Sequence, residues 1–387
     1  MSKYLKLSSL ALLVLMVGFS GSLRAQDGNE HGHEDRSSDK VEMSHTELEE
    51  HHQDNAHPEE DSEAFDPAEM ILHHIKDSHG FHVFGEGHNA VSVSLPVILW
   101  TENGLVTFMS SAFHHDIEGN VVVEKNGMGF VNLHEHIYKL DEGEEQLKLD
   151  DAHHPVNAGM PLDFSITKNV FTLLMSAVFL CLIFIPVASK YKKGHVVPKG
   201  LASFMEPLVV FVRDEIARPN IGKKYEKYMT FLLTLFFLIW INNLIGLVPF
   251  FPFSANLSGN IAFTMTLALF TLIVVNISGT KHYWGHIFAP PTHWSLWIIM
   301  IPIEFIGILT KPFALMIRLF ANISAGHIII LSLMSLIFVF KNAAVAGISV
   351  PFALFISVLE LLVAALQAFI FTMLAALFIG QATEEGH

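Results

Sequence analysis

The chain is nearly devoid of cysteine: Cys181 is the one thiol in 387 residues, so neither an intrachain disulfide nor a cysteine-built metal site can form. No GxxxxGK[ST] loop occurs anywhere, which leaves the chain without that way of cradling nucleotide phosphates. Basic residues are scarce early on: residues 26–160 hold 29 Asp+Glu against 6 Lys+Arg, a net of −23, whereas the whole chain is only −15. The remainder is therefore net positive, by 8. Acidic residues are in turn scarce in the C-terminal half, which is built from membrane-length apolar segments. These asymmetries exclude one soluble globule and imply a polar extramembrane module joined to a membrane domain.

Lys3 and Lys6, the apolar run Leu10–Phe19 and the small residues after it read as a secretory signal over residues 1–25, with cleavage after Ala25 or near Ser22. Residues 26–80 form an acidic, His-rich segment. Residues 26–66 have too few apolar side chains to offset the entropy of ordering, and the whole segment 26–80 is expected to be disordered. Residues 81–160 change character. Val91–Leu95 alternates, and Asn103-Gly104 and Asn126-Gly127 each separate β-prone runs, which predicts two hairpins of a small β module.

Seventeen of the 23 histidines fall in residues 26–160. Neutral imidazole binds zinc and copper, so metal capture is one reading. No ligand spacing recurs, however, and a solvated low-complexity tail is the other.

From residue 165 onward the length of each apolar run sets the topology, since about 20 residues cross a bilayer. Asn169–Ala188 is the first span. The basic connection that follows carries Lys190, Lys192, Lys193, Lys199, Arg213, Arg218, Lys223, Lys224 and Lys227, and so lies in the cytoplasm. Within it, Phe204–Ile216 reads as an interfacial amphipathic helix. Met229–Val248 and Asn260–Ile277 cross out and back, and Trp294–Phe340 and Val345–Ile379 cross again. The predicted fold is an all-α membrane protein of five spans plus one interfacial helix, its last two helices a long, strongly tilted hairpin. Trp294–Phe340 alone would extend about 70 Å as one helix, over twice the hydrocarbon thickness. Pro302 and Pro312 are natural places for a bend.

Arg318 stands within that hairpin, in Ala314-Leu-Met-Ile-Arg318-Leu-Phe-Ala-Asn322. A guanidinium stays protonated at any physiological pH, and a charge at membrane depth costs at least roughly 2.5–3.5 kcal/mol. Snorkelling suits a residue near a helix end, and Arg318 is not near one. An acid, a water-filled path or both should accompany it. In an antiparallel hairpin centred near residue 343, Arg318 lies level with Gln367, and His327 with Glu360. At about 100° per residue, Glu304, Lys311, Arg318 and Asn322 share roughly one face, as do Glu360 and Gln367. His327 lies half a turn round the helix and about 13 Å further out than Arg318. The polar groups thus form two sets, one on each side of a fixed positive charge. Two dead-end aqueous paths separated by Arg318 would pass protons only by way of a moving carboxylate. Imidazole is the side chain suited to proton exchange near neutral pH, and Glu360 beside His327 suits a proton relay. Taken alone, Asn322 and Gln367 fit equally a packing role by hydrogen bonding across helices.

The run from Lys311 through Arg318 and Asn322 to Gly326-His327 resembles the arginine-helix signature of subunit a of the F-type ATP synthase, and Leu366-Gln367-Ala-Phe-Ile-Phe371 its last-helix signature. Asn242-Asn243-Leu-Ile-Gly246-Leu-Val-Pro249 resembles its third-helix motif. The resemblance covers residues 165–385. It implies a non-catalytic stator subunit whose two offset half-channels carry protons to and from the c-ring carboxylates. Arg318 would face the c-ring carboxylate, His327 and Glu360 would occupy the paired positions of the outer half-channel, and Glu304 the inner one. Many bacterial members carry Glu and then His where this chain has His327 and then Glu360. An acid common in the family is replaced here by Gly246. The implied partners are the c-ring, the peripheral-stalk subunit b, the other ATP synthase subunits and membrane lipid, with no nucleic acid and no cofactor. The implied location is the bacterial inner membrane, with residues 26–160 periplasmic and the C-terminus cytoplasmic. The competing reading, a metal-ion transporter fed by the His-rich module, needs His or Asp ligands on facing spans. His327 is the single histidine in the spans, and Arg318 would repel a divalent cation.

This topology is tested by fusions: alkaline phosphatase placed after Met160 should be active and after Lys199 inactive, and a fluorescent protein after His387 should fluoresce. The opposite pattern would invert the orientation.

Overall fold

The computed structural model describes residues 71, 76–84, 91–151, 153–192, 199–248, 255–290 and 293–384. The expected signal segment 1–25 and nearly all of the acidic segment 26–80 lie outside the described residues.

Among the described residues, nine short strands precede the long helices. β1 (Gly80–Phe84) pairs with β2 (Val91–Ser94). β3 (Pro96–Thr101) lies between β4 (Gly104–Met109) and β9 (Leu162–Asp163). β5 (Val123–Lys125), β6 (Met128–Leu133), β7 (His136–Leu140) and β8 (Ala158–Gly159) form a four-stranded sheet in that order. Asn126 and Gly127 both take positive φ, 53° and 73°, in the two-residue turn that closes Lys125 on Met128, the turn type Asn-Gly favours. The β3–β4 turn closes Thr101 on Gly104. Alternation along these strands buries Val97, Leu99, Val106, Val123, Phe130 and Ile137 in one small core with Phe113. The pairing of β3 with β9 joins residues over 60 positions apart and has no local sequence signal.

The base of this module is tied to the first long helix, α1 (Lys168–Lys192). Asp77 accepts hydrogen bonds from the Thr167 hydroxyl at 2.8 Å and the Asn169 N–H at 3.2 Å. It thereby brings a carboxylate to a helix N-terminus that has no acid of its own in its first turn. Buried His79 lies between Glu135 and Asp163, 3.5 and 3.4 Å away. Burial pushes the Asp163 carboxyl up, but the hydrogen bond and charge of His79, with Ser165, pull it down to about 2.

Five helices among the described residues are long and apolar enough to cross a membrane. After α1 come α2 (Leu201–Phe211), a π-helical stretch Val212–Ala217, the short α3 (Arg218–Ile221) and a 3-10 turn entered at Gly222, which has φ 69°. The expected interfacial segment is thus helical further in both directions, and it buries Val212, Ile216 and Ala217 in the common core. α4 (Tyr225–Gly246) and α5 (Ile261–Ser278) follow, then a short helix not foreseen in the sequence, α6 (Lys281–Phe288). The hairpin is α7 (Trp297–Phe340) and α8 (Ala343–Thr383). α7 stays helical through Pro302 and Pro312. The hairpin turns at Lys341, whose φ is 47°, and Asn342 caps α8 by accepting from the Ala344 N–H.

Small residues set how closely α8 packs. Ala364, Ala368, Ala375, Ala376 and Ala382 are fully buried against its neighbours, as expected where helices must approach without a hydrophobic drive from solvent. Gly380 is the tightest point, because a Cβ there would overlap the Asn220 carbonyl of α3. Gly380→Ala must move backbone, and should cost on the order of 1–3 kcal/mol. A lower melting temperature of the solubilised complex would register it, and an unchanged one would mean that α3 yields freely.

Candidate functional site

The hairpin brings His327 of α7 against Glu360 of α8: Nδ1 lies 3.2 Å from Oε1, a distance at which the protonated ring donates to the carboxylate. The Glu360 side chain is 3% exposed and that of His327 23%, so the acid is interior and the imidazole is its contact with the surroundings. The second carboxylate oxygen, Oε2, is buried without a protein partner. Gly326 makes room for this pair, since a Cβ on it would lie 2.9 Å from the Glu360 carboxyl.

Arg318 is arranged differently. It is exposed on α7, and among the described residues it has no hydrogen bond or ion pair. Asn322, one turn on, is exposed too, whereas Gln367, predicted to lie level with Arg318, is buried and makes no hydrogen bond to it. The residues around Arg318 on the exposed face include Ala314, Ala321 and Ala325, which are small. The structure therefore leaves the guanidinium on an outward, shallow strip of the hairpin.

Towards the start of α7, Glu304 is half-buried. Its Oε1 lies 3.6 Å from Nδ1 of His286 on α6. Burial, with the nearby Glu304 carboxylate, pushes the Tyr283 phenol above its ordinary value, and its hydroxyl donates to Asn276 at 3.2 Å. Lys311 bonds Gln381 at 3.1 Å and lies over the Phe378 ring. The single stripe Glu304, Lys311, Arg318, Asn322 expected from helical phase is thus divided: its lower members turn to α6 and α8, its upper members face outward. Sequence reasoning missed His286 and Gln381. Their signal was available in part, because His286 is one of few histidines outside residues 26–160 and lies in the connection beside Glu304.

Other polar atoms are buried without a protein partner: Asn242 and Asn243 Oδ1, Asn256 Nδ2, and the hydroxyls of Ser258 and Ser324. Asn243 donates to the Ala364 carbonyl, one turn along α8 from Glu360. Among the described residues, no group of three or more His, Cys, Asp or Glu side chains is placed to hold a metal ion.

These features define a multi-pass helical membrane protein whose spanning segments carry few charged groups, several of them gathered on one long hairpin. Residues 170–380 match the family described as ATP synthase A chain, and residues 70–164 match a domain of unknown function, DUF8433. The chain belongs to the ATP synthase A chain family and is a subunit of an ATP synthase. It is 53% identical over 226 residues to ATP synthase subunit a of Chloroherpeton thalassium, covering 57% of this chain and 67% of the relative. It is 45% identical over 307 residues to ATP synthase subunit a 2 of Prosthecochloris aestuarii, covering 76% and 92%. To ATP synthase subunit a of an Anaeromyxobacter species it is 42% identical over 293 residues, covering 71% and 70%.

Gly326→Ala is expected to keep the fold, because the displaced atoms are the far end of the Glu360 side chain, but to break the His327 contact. Loss of this contact should lower ATP-driven vesicle acidification by the complex by roughly tenfold or more at normal assembly. Vesicle acidification assays on matched amounts of complex read this, and wild-type rates would show that the contact is dispensable.

Proposed function

We propose that the chain is the stator subunit that carries protons to and from the carboxylates of a rotating c-ring by two offset half-channels, coupling proton flow to ring rotation and ATP synthesis. It is non-catalytic: ATP chemistry belongs to partner subunits, and the peripheral-stalk subunit b holds it fixed against the ring. It sits in the bacterial inner membrane with residues 26–160 periplasmic and the C-terminus cytoplasmic, the orientation the basic connections favour.

The observation that carries this reading is Arg318, a permanent cation on an apolar, shallow face of the hairpin with no partner among the described residues. Such a charge calls for a counter-charge from outside the chain. A carboxylate on a neighbouring ring supplies one: ionised beside Arg318, protonated before it moves into lipid. The outer path reaches the ring through His327 and Glu360, nine residues or about 13 Å along α7, with the imidazole passing protons to the buried acid. Asn243, Ser258 and Ser324 support water on this path, since buried polar atoms without a protein partner are costly unless water reaches them. The inner path runs by Glu304 and His286, about 21 Å from Arg318 in the other direction. Asn322, exposed one turn on from Arg318, adds a polar side chain beside it, and Gln367 is buried on the facing helix. Proton use is preferred over sodium because a His–Glu pair suits proton relay.

Arg318→Ala should leave the complex assembled, judged by co-purification, while ATP synthesis and ATP-driven proton pumping in inverted vesicles fall to background. Retained assembly with retained coupled transport would make the arginine structural and remove the basis of this reading.

A further inference from the structure

The sheet β4-β3-β9 is apolar on both faces. Its inner face holds Val97, Leu99 and Val106 in the core of the module. On the outer face, register places Leu105, Trp100 and Leu162 in one row, and Thr107, Ile98 and Phe164 in the next, with Phe164 N–H bonded to the Ile98 carbonyl. Thr107 is the one polar member of these two rows. Trp100 and Leu105 are 55% exposed, Leu162 52% and Phe164 50%. Side chains of this size leave on the order of a few hundred Å² of contiguous apolar surface, which marks a contact site on a polar module.

We propose that this face lies on the outer surface of the bilayer, at the level of the lipid headgroups, and fastens the module to the membrane beside the first span. Continuity of this sheet with the first span favours lipid. The extended chain of β9 runs through Ile166, whose N–H bonds the Pro96 carbonyl, and α1 starts at Lys168. α1 has 25 residues, so it is about 37 Å long against a hydrocarbon core of about 30 Å, and its first turn falls in the interfacial zone. The module is held at that level: Phe81 packs edge-on against Phe171 in the first turn at 5.4 Å, and Asp77 binds Thr167 and Asn169. Further along α1, Val178, Phe179, Leu182 and Ile185 are exposed, as a span that meets lipid requires, and the sheet face lies next in the chain to the start of that same helix. Trp is enriched at this depth, and Phe and Leu accompany it on apolar faces that lie in the interface. The module's acidic charge implies that zwitterionic lipid suffices.

The test places a photoreactive benzophenone amino acid at Leu105, at Phe164 and, as the control, at exposed Glu124 on β5, in the complete ATP synthase reconstituted in phosphatidylcholine vesicles. All three positions face away from the core, so the substitutions remove no core packing. Adducts of phosphatidylcholine mass on the peptides carrying positions 105 and 164, with none at 124, are expected. Adducts to another subunit or a second copy at 105 and 164 would overturn the proposal, and so would the absence of lipid adducts there. Proton pumping is not the readout, so this inference and the proton-path reading fail separately.

Discussion

A guanidinium cannot shed its proton to suit lipid, and this constraint organises the membrane half of the protein. Arg318 could have been satisfied internally, by a carboxylate on α8 or by Gln367 at the same level. Instead it faces outward among small side chains, while the nearest acids are engaged elsewhere, Glu360 with His327 and Glu304 with His286. The chain is electrostatically incomplete at that point, and this incompleteness is what the proposed function rests on. A permanent internal partner would have satisfied the charge within the chain, and among the described residues none is placed to do so.

Tight packing keeps that arrangement in place. The alanines of α8 and Gly380 let it sit close against α3, α4 and α7, so that the register of the hairpin is set by contact and not by the turn alone. Gly326 serves the same end at one position, because the absence of its side chain admits the Glu360 carboxyl to the face of α7 where His327 can reach it. A polar pair in an apolar interior is expensive unless its geometry is held, and here the geometry comes from what the neighbouring residue lacks.

The extramembrane module follows a different logic. It has a small core of its own, yet its base is stitched to the start of α1 by Asp77 and by Phe81 on Phe171, so it is an extension of the membrane domain more than a tethered passenger. The buried His79 between two carboxylates belongs to that junction, where its charge would compensate acids drawn in from two separate strands.

The sequence by itself determined the five membrane-length helices, the hairpin and the level pairing of His327 with Glu360, because apolar length and helical rise are local quantities that survive any packing. The Asn126-Gly127 turn was legible for the same reason, since backbone preference is written into the dipeptide, whereas the first hairpin turns one residue earlier, at Glu102-Asn103, with Gly104 already in β4. Tertiary structure alone decided which way each polar group turned. Helical phase put Glu304, Lys311 and Arg318 on one face, but His286 and Gln381 drew the first two aside, and Gln367 was buried away from Arg318. It also decided the β3–β9 pairing, which joins strands more than 60 residues apart, and with it the apolar outer face. Such contacts depend on distances between elements far apart in sequence, and no periodicity within one element encodes them.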